Sequence, residues 1–186
     1  MSQPLVKADT ALNSLRDSDF DCYSAYAEAI DNSLQAGATR ISIEFKEKQL
    51  KAGANSVVGE VVFRDNGNGM DKSLLHKCLT LGMSSRYDDR SGIGRFGVGM
   101  TLGAIHEAKR VEVYSKIVGG EWLWTYMDLE EIAEGKMDSL PEPIAKSPDN
   151  SMLENHQDES GTVVVWRKCD RSKDNYASVV EESKFY

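Results

Sequence analysis

An acid and an amide one helical turn apart, Glu28 and Asn32, are the first residues in the chain with a spacing suited to chemistry. If residues 20–36 form a helix, both side chains project from one face, and Asp31 lies beside them. A carboxylate and a carboxamide placed in this way can polarise a water molecule and ligate a hard cation through oxygen. The same spacing also fits a polar stripe on an amphipathic helix, so this stretch alone leaves both interpretations open.

A second candidate is the sequence Asp-Asn-Gly-Asn-Gly at residues 65–69, which follows an apolar run over residues 57–63. Asn and Gly tolerate the positive φ of tight turns, so a plain β-turn is one interpretation. A hairpin turn should lead into another strand, however, and residues 70–75 have a helical pattern instead. At such a strand–turn–helix junction, Asp65 can accept a hydrogen bond from an exocyclic amine, and the glycines let a ligand approach the backbone.

The third candidate is the glycine-rich segment 92–99, Gly-Ile-Gly-Arg-Phe-Gly-Val-Gly. It contains GxGxxG, but a dinucleotide-binding fingerprint requires a buried strand directly before the first glycine, and residues 84–91 are mostly polar. We therefore reject the Rossmann interpretation, and the P-loop pattern GxxxxGK[ST] does not occur in the sequence. A glycine-rich loop before a helix still offers free N–H groups and a positive dipole end to an anion, with a surface loop as the alternative.

Helices and strands that must position these segments are interspersed along the chain. The patterns predict helices over residues 20–36, 71–81, about 97–106 and from 176, and strands over residues 41–45, 57–63, 110–118, 121–127 and 162–166. Ser18 or Asp19 is expected to cap the first of these helices. Residues 130–160 contain three of the four prolines and many acids, which predicts an exposed, mobile excursion. Because most strands follow one another without a crossover helix, we predict an α+β two-layer sandwich, with helices on one face of a mixed, mainly antiparallel sheet.

Composition narrows the function classes. The chain has 186 residues and a formal net charge of −8, which argues against a general nucleic-acid or anionic-membrane surface. No apolar run approaches the roughly 20 residues that cross a bilayer, and the beginning of the chain lacks the layout of a signal peptide. The three cysteines are widely spaced, against a disulfide framework or structural zinc. We therefore expect a soluble, intracellular protein that is located in the cytoplasm or, for a eukaryotic source, in the cytoplasm or the nucleus.

Taken together and in this order, the segments resemble the motifs of the GHKL ATPases, which include DNA gyrase-type topoisomerases, heat-shock chaperones, histidine kinases and MutL. The resemblance covers about residues 20–168 and implies the Bergerat fold, a helices-on-sheet sandwich. It implies an ATP-binding domain over residues 20–175 with a lid over about 82–99. Residues 1–19 are then an N-terminal segment, and residues 176–186 a C-terminal helix or the beginning of a linker.

The resemblance also implies a role for each matching residue. Glu28 matches the general base that activates the attacking water, and Asn32 matches the Mg²⁺ ligand. Asp65 matches the acid that reads the adenine amino group, and Thr162 the threonine that supports this contact. The other implied nucleotide-binding residues are Gly67, Gly69 and Met70 around the adenine, and Arg86, Gly94, Arg95, Phe96, Gly97, Val98 and Gly99 in the lid and the phosphate-binding turn.

Different segments of the chain resemble different branches of this family. Residues 31–41 are similar to MutL and to microrchidia (MORC) proteins, and residues 93–100 to chaperones and MORC proteins. MORC members often carry a lysine where this chain has Thr101. Several relatives receive a basic residue for the γ-phosphate from a following domain, so with an end at Tyr186 we expect a fragment or a poor hydrolase. Lid arginines could substitute for that residue, or simply keep an exposed loop soluble.

The function implied by the resemblance is Mg²⁺-dependent binding of ATP or ADP with slow ATP hydrolysis. Lid closure and an ATP-dependent homodimer would then form a conformational switch, coupled to a client protein or nucleic acid through other domains. A non-catalytic nucleotide sensor and a histidine-kinase-type phosphotransfer module are the alternatives, and neither requires a membrane.

Overall fold

The computed structural model describes residues 7–17, 21–49, 56–81, 99–153 and 158–171. The helices in these ranges are α1 (Ala8–Arg16), α2 (Cys22–Gln35), α3 (Lys72–Lys77), α4 (Gly99–Glu107) and α5 (Leu129–Ala133), with a 3-10 turn at Asn150–Met152. The strands are β1 (Ile41–Gln49), β2 (Ser56–Asp65), β3 (Ala108–Lys116), β4 (Leu123–Asp128), β5 (Ile144–Ala145) and β6 (Gly161–Cys169).

The strands form one sheet of six strands in the order β1-β2-β6-β3-β4-β5. Every pairing among the described strands is antiparallel. The predicted α+β sandwich is therefore confirmed, and the sheet is antiparallel throughout the described part, where we expected a mixed one. The last strand along the chain, β6, lies between β2 and β3, so residues far apart in sequence become neighbours at its two edges.

Alternation along the strands separates the two faces of the sheet. Phe63 of β2, Val113 of β3 and Trp166 of β6 belong to the main core beneath the helices. Tyr26 of α2 stacks on the Trp166 ring at a centroid distance of 5.6 Å. Because side chains alternate along a strand, residues two positions before or after these core residues point to the same face of the sheet.

Helices α2 and α4 pack closely because small residues meet between them. A Cβ atom added at Gly103 of α4 would lie 3.0 Å from Cα and 3.3 Å from Cβ of Ala25 on α2. Ala25 is buried, with 1% of its surface exposed. This close approach holds the polar stretch of α2 beside the beginning of α4.

Helix α2 begins later than predicted. The side chain of Asp21 accepts a hydrogen bond of 2.7 Å from the backbone N–H of Ser24, so Asp21 is the N-cap and the helix starts at Cys22. The predicted caps, Ser18 and Asp19, precede this position and lie outside the described residues. At the other end Gly37 has φ +76°, the left-handed conformation that glycine commonly adopts just after a helix.

Most described residues in 130–160 are exposed, as predicted, but the segment is anchored to the sheet at a few buried positions. It contains the end of α5, strand β5 and the 3-10 turn, and the side chains of Met137 and Met152 are buried. Arg64 of β2 also donates a hydrogen bond to the carbonyl of Met152. The two methionines anchor the segment to opposite faces of the sheet.

The N-terminal helix α1 was not predicted from the sequence. It is joined to α4 by Arg16, whose Nε donates a 2.7 Å hydrogen bond to the carbonyl of Ile105, and Arg16 also pairs with Asp170. In the ranges that the structure describes, no helix combines the length and the apolar composition required to cross a membrane. The helix predicted from residue 176 lies outside these ranges.

Substitution of Ala25 by Val should destabilise the fold, because the larger side chain has no room against Gly103. We expect a loss of about 1–3 kcal/mol in the free energy of unfolding, measured by urea denaturation. Ala27→Val is the matched control, since Ala27 is exposed on the same helix, and it should cost only a few tenths of a kcal/mol, roughly the difference in helix propensity. Equal losses in the two variants would contradict the close packing of α2 on α4.

Candidate functional site

Glu28 and Asn32 lie on one face of α2, as predicted. The side-chain amide of Asn32 donates a 2.7 Å hydrogen bond to the backbone carbonyl of Glu28. A carbonyl only accepts, so the Asn32 atom that faces it is the NH₂ group, and the amide oxygen Oδ1 is left to serve as a ligand atom. This orientation suits an oxygen ligand to a hard cation.

The Glu28 carboxylate lies against the first described residue of α4. A Cβ atom at Gly99 would fall on this carboxylate, so a larger residue there would displace the Glu28 side chain from its position. Burial, and then the negative charge of Asp31, raise the pKa of Glu28 above its ordinary value. A carboxylate whose pKa is raised accepts a proton more readily than one at the ordinary value, which suits a general base.

Asp65 ends β2 and is held by two hydrogen bonds. Its Oδ1 accepts from the backbone N–H of Gly67 at 2.9 Å, and its Oδ2 lies 3.1 Å from the hydroxyl of Ser33. That hydroxyl is also 3.1 Å from the backbone carbonyl oxygen of Ala29, so its single hydrogen is shared between two acceptors. Asp65 is only 7% exposed and Ser33 only 6%. Ser33 directly follows Asn32 on α2, so this contact fixes the predicted metal ligand relative to the acid at the end of the strand.

The turn after Asp65 is packed against the end of α2. The side-chain oxygen of Asn66 accepts from the backbone N–H groups of Thr39 and Arg40 at 2.9 and 2.8 Å. A Cβ atom at Gly67 would lie 2.8 Å from both Cβ and O of Ala36, so a larger residue cannot be accommodated without a shift. These contacts explain the glycine by packing within the chain, and the approach of a ligand to its backbone stays a prediction.

Gly69, in the same turn, packs against the end of β3. It has φ +69°, and a Cβ atom there would collide with the backbone carbonyl of Lys116 at the end of β3. The next residue, Met70, donates its backbone N–H to the hydroxyl of Ser115 at 2.8 Å. The turn is therefore fastened to β3 as well as to α2.

Thr162 lies beside Asp65, because these two residues are partners in the register of β2 with β6. In the register of β6 with β3, Thr162 is the partner of Ser115, and the two hydroxyl oxygens are 3.0 Å apart. Along their strands, Asp65 comes two residues after Phe63, Ser115 comes two residues after Val113, and Thr162 comes two residues before Val164. Phe63, Val113 and Val164 belong to the main core beneath the helices, so the three polar side chains also point to the helix side of the sheet.

The predicted site residues that the structure describes fall into two neighbouring groups. Asp65, Gly67, Gly69, Met70 and Thr162 form one group, and Glu28, Asn32 and Gly99 form a second group joined to the first through Ser33. The remaining predicted residues lie outside the described ranges: Arg86, Gly94, Arg95, Phe96, Gly97 and Val98.

Two site residues were missed from the sequence. Ser33 directly follows Asn32 on α2, and this position next to a candidate ligand could have indicated from the sequence that Ser33 lies at the site. Ser115 carried no local signal, because its place in the site depends on the register of β3 with β6. Among the described residues, no group of three or more His, Cys, Asp or Glu side chains is arranged to hold a metal ion.

A family model described as histidine kinase-, DNA gyrase B- and HSP90-like ATPase matches residues 20–162, which include both groups of site residues. The chain belongs to this ATPase family. Membership in this GHKL family confirms the resemblance found in the motifs and supports ATP binding.

Individual relatives agree with the family match. The chain is 30% identical over 134 residues to the DNA mismatch repair protein MLH1 of Saccharomyces cerevisiae, an alignment that covers 70% of this chain and 16% of MLH1. It is 31% identical over 98 residues to protein MICRORCHIDIA 7 of Arabidopsis thaliana, covering 51% of this chain and 13% of that protein. It is 33% identical over 95 residues to the ATPase MORC2B of Mus musculus, covering 50% and 9%. The matched part is therefore less than a fifth of each of these relatives.

Proposed function

We propose that this GHKL domain binds adenine nucleotides with Mg²⁺ and slowly hydrolyses ATP, and that lid closure and dimer formation make it a conformational switch. The observation that carries the proposal is the hydrogen bond between Ser33 and Asp65. It joins α2, which carries the proposed water-activating acid, to the end of β2, which carries the proposed base-reading acid. The yeast and mouse relatives carry names that mention mismatch repair and ATPase activity, which are properties of those proteins.

The described residues fit an adenine nucleotide. Ionised Asp65 is an acceptor, which suits the exocyclic amine of adenine. Gly67 and Gly69 lack the side chains that would block the backbone turn. An Mg²⁺ ion bound with a nucleotide commonly takes one or two protein ligands and several phosphate oxygens, which matches a single amide oxygen at Asn32. The cation would neutralise phosphate charge during transfer.

Glu28 would act as the general base. Its carboxylate accepts a proton from water, and its raised pKa brings it closer to the proton affinity of the water being activated. The positive end of α4 next to this carboxylate would also favour the negative charge of phosphate groups. Phosphoryl transfer needs mainly positioning and electrostatic stabilisation, and Glu28, Asn32 and the α4 terminus supply these.

Glu28→Gln should abolish hydrolysis while retaining nucleotide binding, because the amide keeps the shape but cannot take a proton. We expect phosphate release to fall by at least about 100-fold, with the affinity for Mg-ADP within about twofold of wild type. Glu134→Gln, an exposed site beyond α5, is the matched control and should retain full activity. Wild-type hydrolysis in Glu28→Gln would refute the assignment of the base.

The same variant tests the switch. Loaded with Mg-ATP, which it cannot turn over, Glu28→Gln should elute from size-exclusion chromatography as a dimer and return to a monomer when the ATP is removed. A monomer under both conditions would contradict the proposed ATP-dependent dimer. ADP binding by a wild-type protein that releases no phosphate would instead favour the nucleotide sensor.

Asp31→Asn should move the acid limb of the pH–rate profile to lower pH. Glu28 must be ionised to act as a base, so hydrolysis falls as the pH decreases through its pKa. The negative charge of Asp31 helps to raise that pKa, and its removal should therefore lower it. Asp138→Asn, which is exposed and outside the site, is the control and should leave the profile unchanged. A profile that is unchanged in Asp31→Asn, or moved to higher pH, would contradict the role of Glu28.

A further inference from the structure

Ser115 is fully buried on β3, with 0% of its surface exposed, and is surrounded by polar atoms. Its hydroxyl oxygen lies 2.8 Å from the backbone nitrogen of Met70, 3.2 Å from the backbone carbonyl oxygen of Gly161 and 3.0 Å from the hydroxyl oxygen of Thr162. The Asp65 turn, the beginning of β6 and Thr162 therefore all meet at this one hydroxyl.

The direction of each hydrogen bond follows from the inventory of donors and acceptors. A serine hydroxyl has one hydrogen and two lone pairs. The N–H of Met70 can only donate, so it takes one lone pair, and the carbonyl of Gly161 can only accept, so it takes the single hydrogen. If all three contacts are hydrogen bonds, the hydroxyl of Thr162 must donate to the second lone pair of Ser115.

This assignment decides what Thr162 offers to a ligand. Its hydrogen is committed to Ser115, so towards other groups it presents only lone pairs. Asp65, its register partner on β2, is also an acceptor when ionised. The two neighbouring side chains therefore form a surface of acceptors, which an amino group can satisfy and a carbonyl oxygen cannot. A buried polar group left unpaired by the wrong ligand is a strong source of discrimination.

We infer that Ser115 is a specificity-determining positioning residue, which fixes the hydroxyl of Thr162 as an acceptor and so favours 6-aminopurine over 6-oxopurine nucleotides. Ser115 acts through Thr162 and the Met70 amide and is not itself a catalytic residue. The inference rests on the proposed function, because it concerns the base of the nucleotide bound at Asp65. Without Ser115, the hydroxyl of Thr162 can rotate and donate its hydrogen to a carbonyl at C6.

The test is titration of wild type and Ser115→Ala with Mg-ADP and with Mg-IDP, in which a carbonyl replaces the amino group at C6. Wild type should prefer ADP, and the ratio of the IDP Kd to the ADP Kd should fall by about fivefold or more in Ser115→Ala, since one hydrogen bond changes direction. A loss of protein stability alone would weaken the binding of both nucleotides equally and leave the ratio of the two Kd values unchanged. Ser115→Cys, with a weakly hydrogen-bonding thiol of similar size, carries the test if the alanine variant unfolds.

Two further variants isolate the mechanism. Thr125→Ala is the matched control, because Thr125 is a fully buried hydroxyl on the neighbouring strand β4 that donates to the carbonyl of Pro141 at 2.9 Å. It should lose stability without a change in the ratio. In a Thr162→Val background, Ser115→Ala should have no further effect on the ratio, because the group through which it acts is gone.

The outcomes separate the two proposals. Failure of wild type to bind Mg-ADP would overturn the proposed function, and this inference with it. Wild-type preference for ADP with an unchanged ratio in Ser115→Ala would overturn the role of Ser115 alone. A fall in the ratio that disappears in the Thr162→Val background would support it.

Discussion

The hydrogen bond between Ser33 of α2 and Asp65 of β2 is the contact on which the proposed site depends. Both groups are buried, so this contact lies away from solvent. Ser33 is adjacent to Asn32 and lies on the same helix as Glu28. Its contact with Asp65 therefore holds the end of the strand close to the part of the helix that carries the proposed base. The contacts of Asn66 with residues 39 and 40 reinforce the same junction.

The other half of the site depends on the order of the strands. Strand β6 lies between β2 and β3, and its residue Thr162 is the register partner of Asp65 on one side and of Ser115 on the other. Residues separated by about half the chain therefore meet only when β6 is in place. Non-local pairing of this kind is slow to form but specific, because a slip of one residue would turn Thr162 to the opposite face of the sheet.

Local features of the site could be predicted from the sequence, and features that depend on tertiary contacts could not. The spacing of Glu28 and Asn32 and the strand–turn–helix junction at Asp65 are properties of short segments, and the structure has both. The role of Ser115 requires the register of β3 with β6, for which the sequence contains no local signal. Proline and acid content predicted correctly that residues 130–160 are mostly exposed, but it gave no signal that Met137 and Met152 are buried against the sheet.

The most direct test of the account is calorimetric titration of Mg-ADP into wild type and into Asp65→Asn, a substitution that preserves the shape of the side chain but replaces an acceptor with a donor. The account predicts binding by wild type and a loss of at least about tenfold in affinity in the variant. The neutral amide has a single acceptor oxygen, which the N–H of Gly67 already engages, and its NH₂ group cannot accept from the amine of the base. Equal affinities in the two proteins would show that Asp65 does not read the base. No binding by wild type would contradict the assignment of this site to an adenine nucleotide.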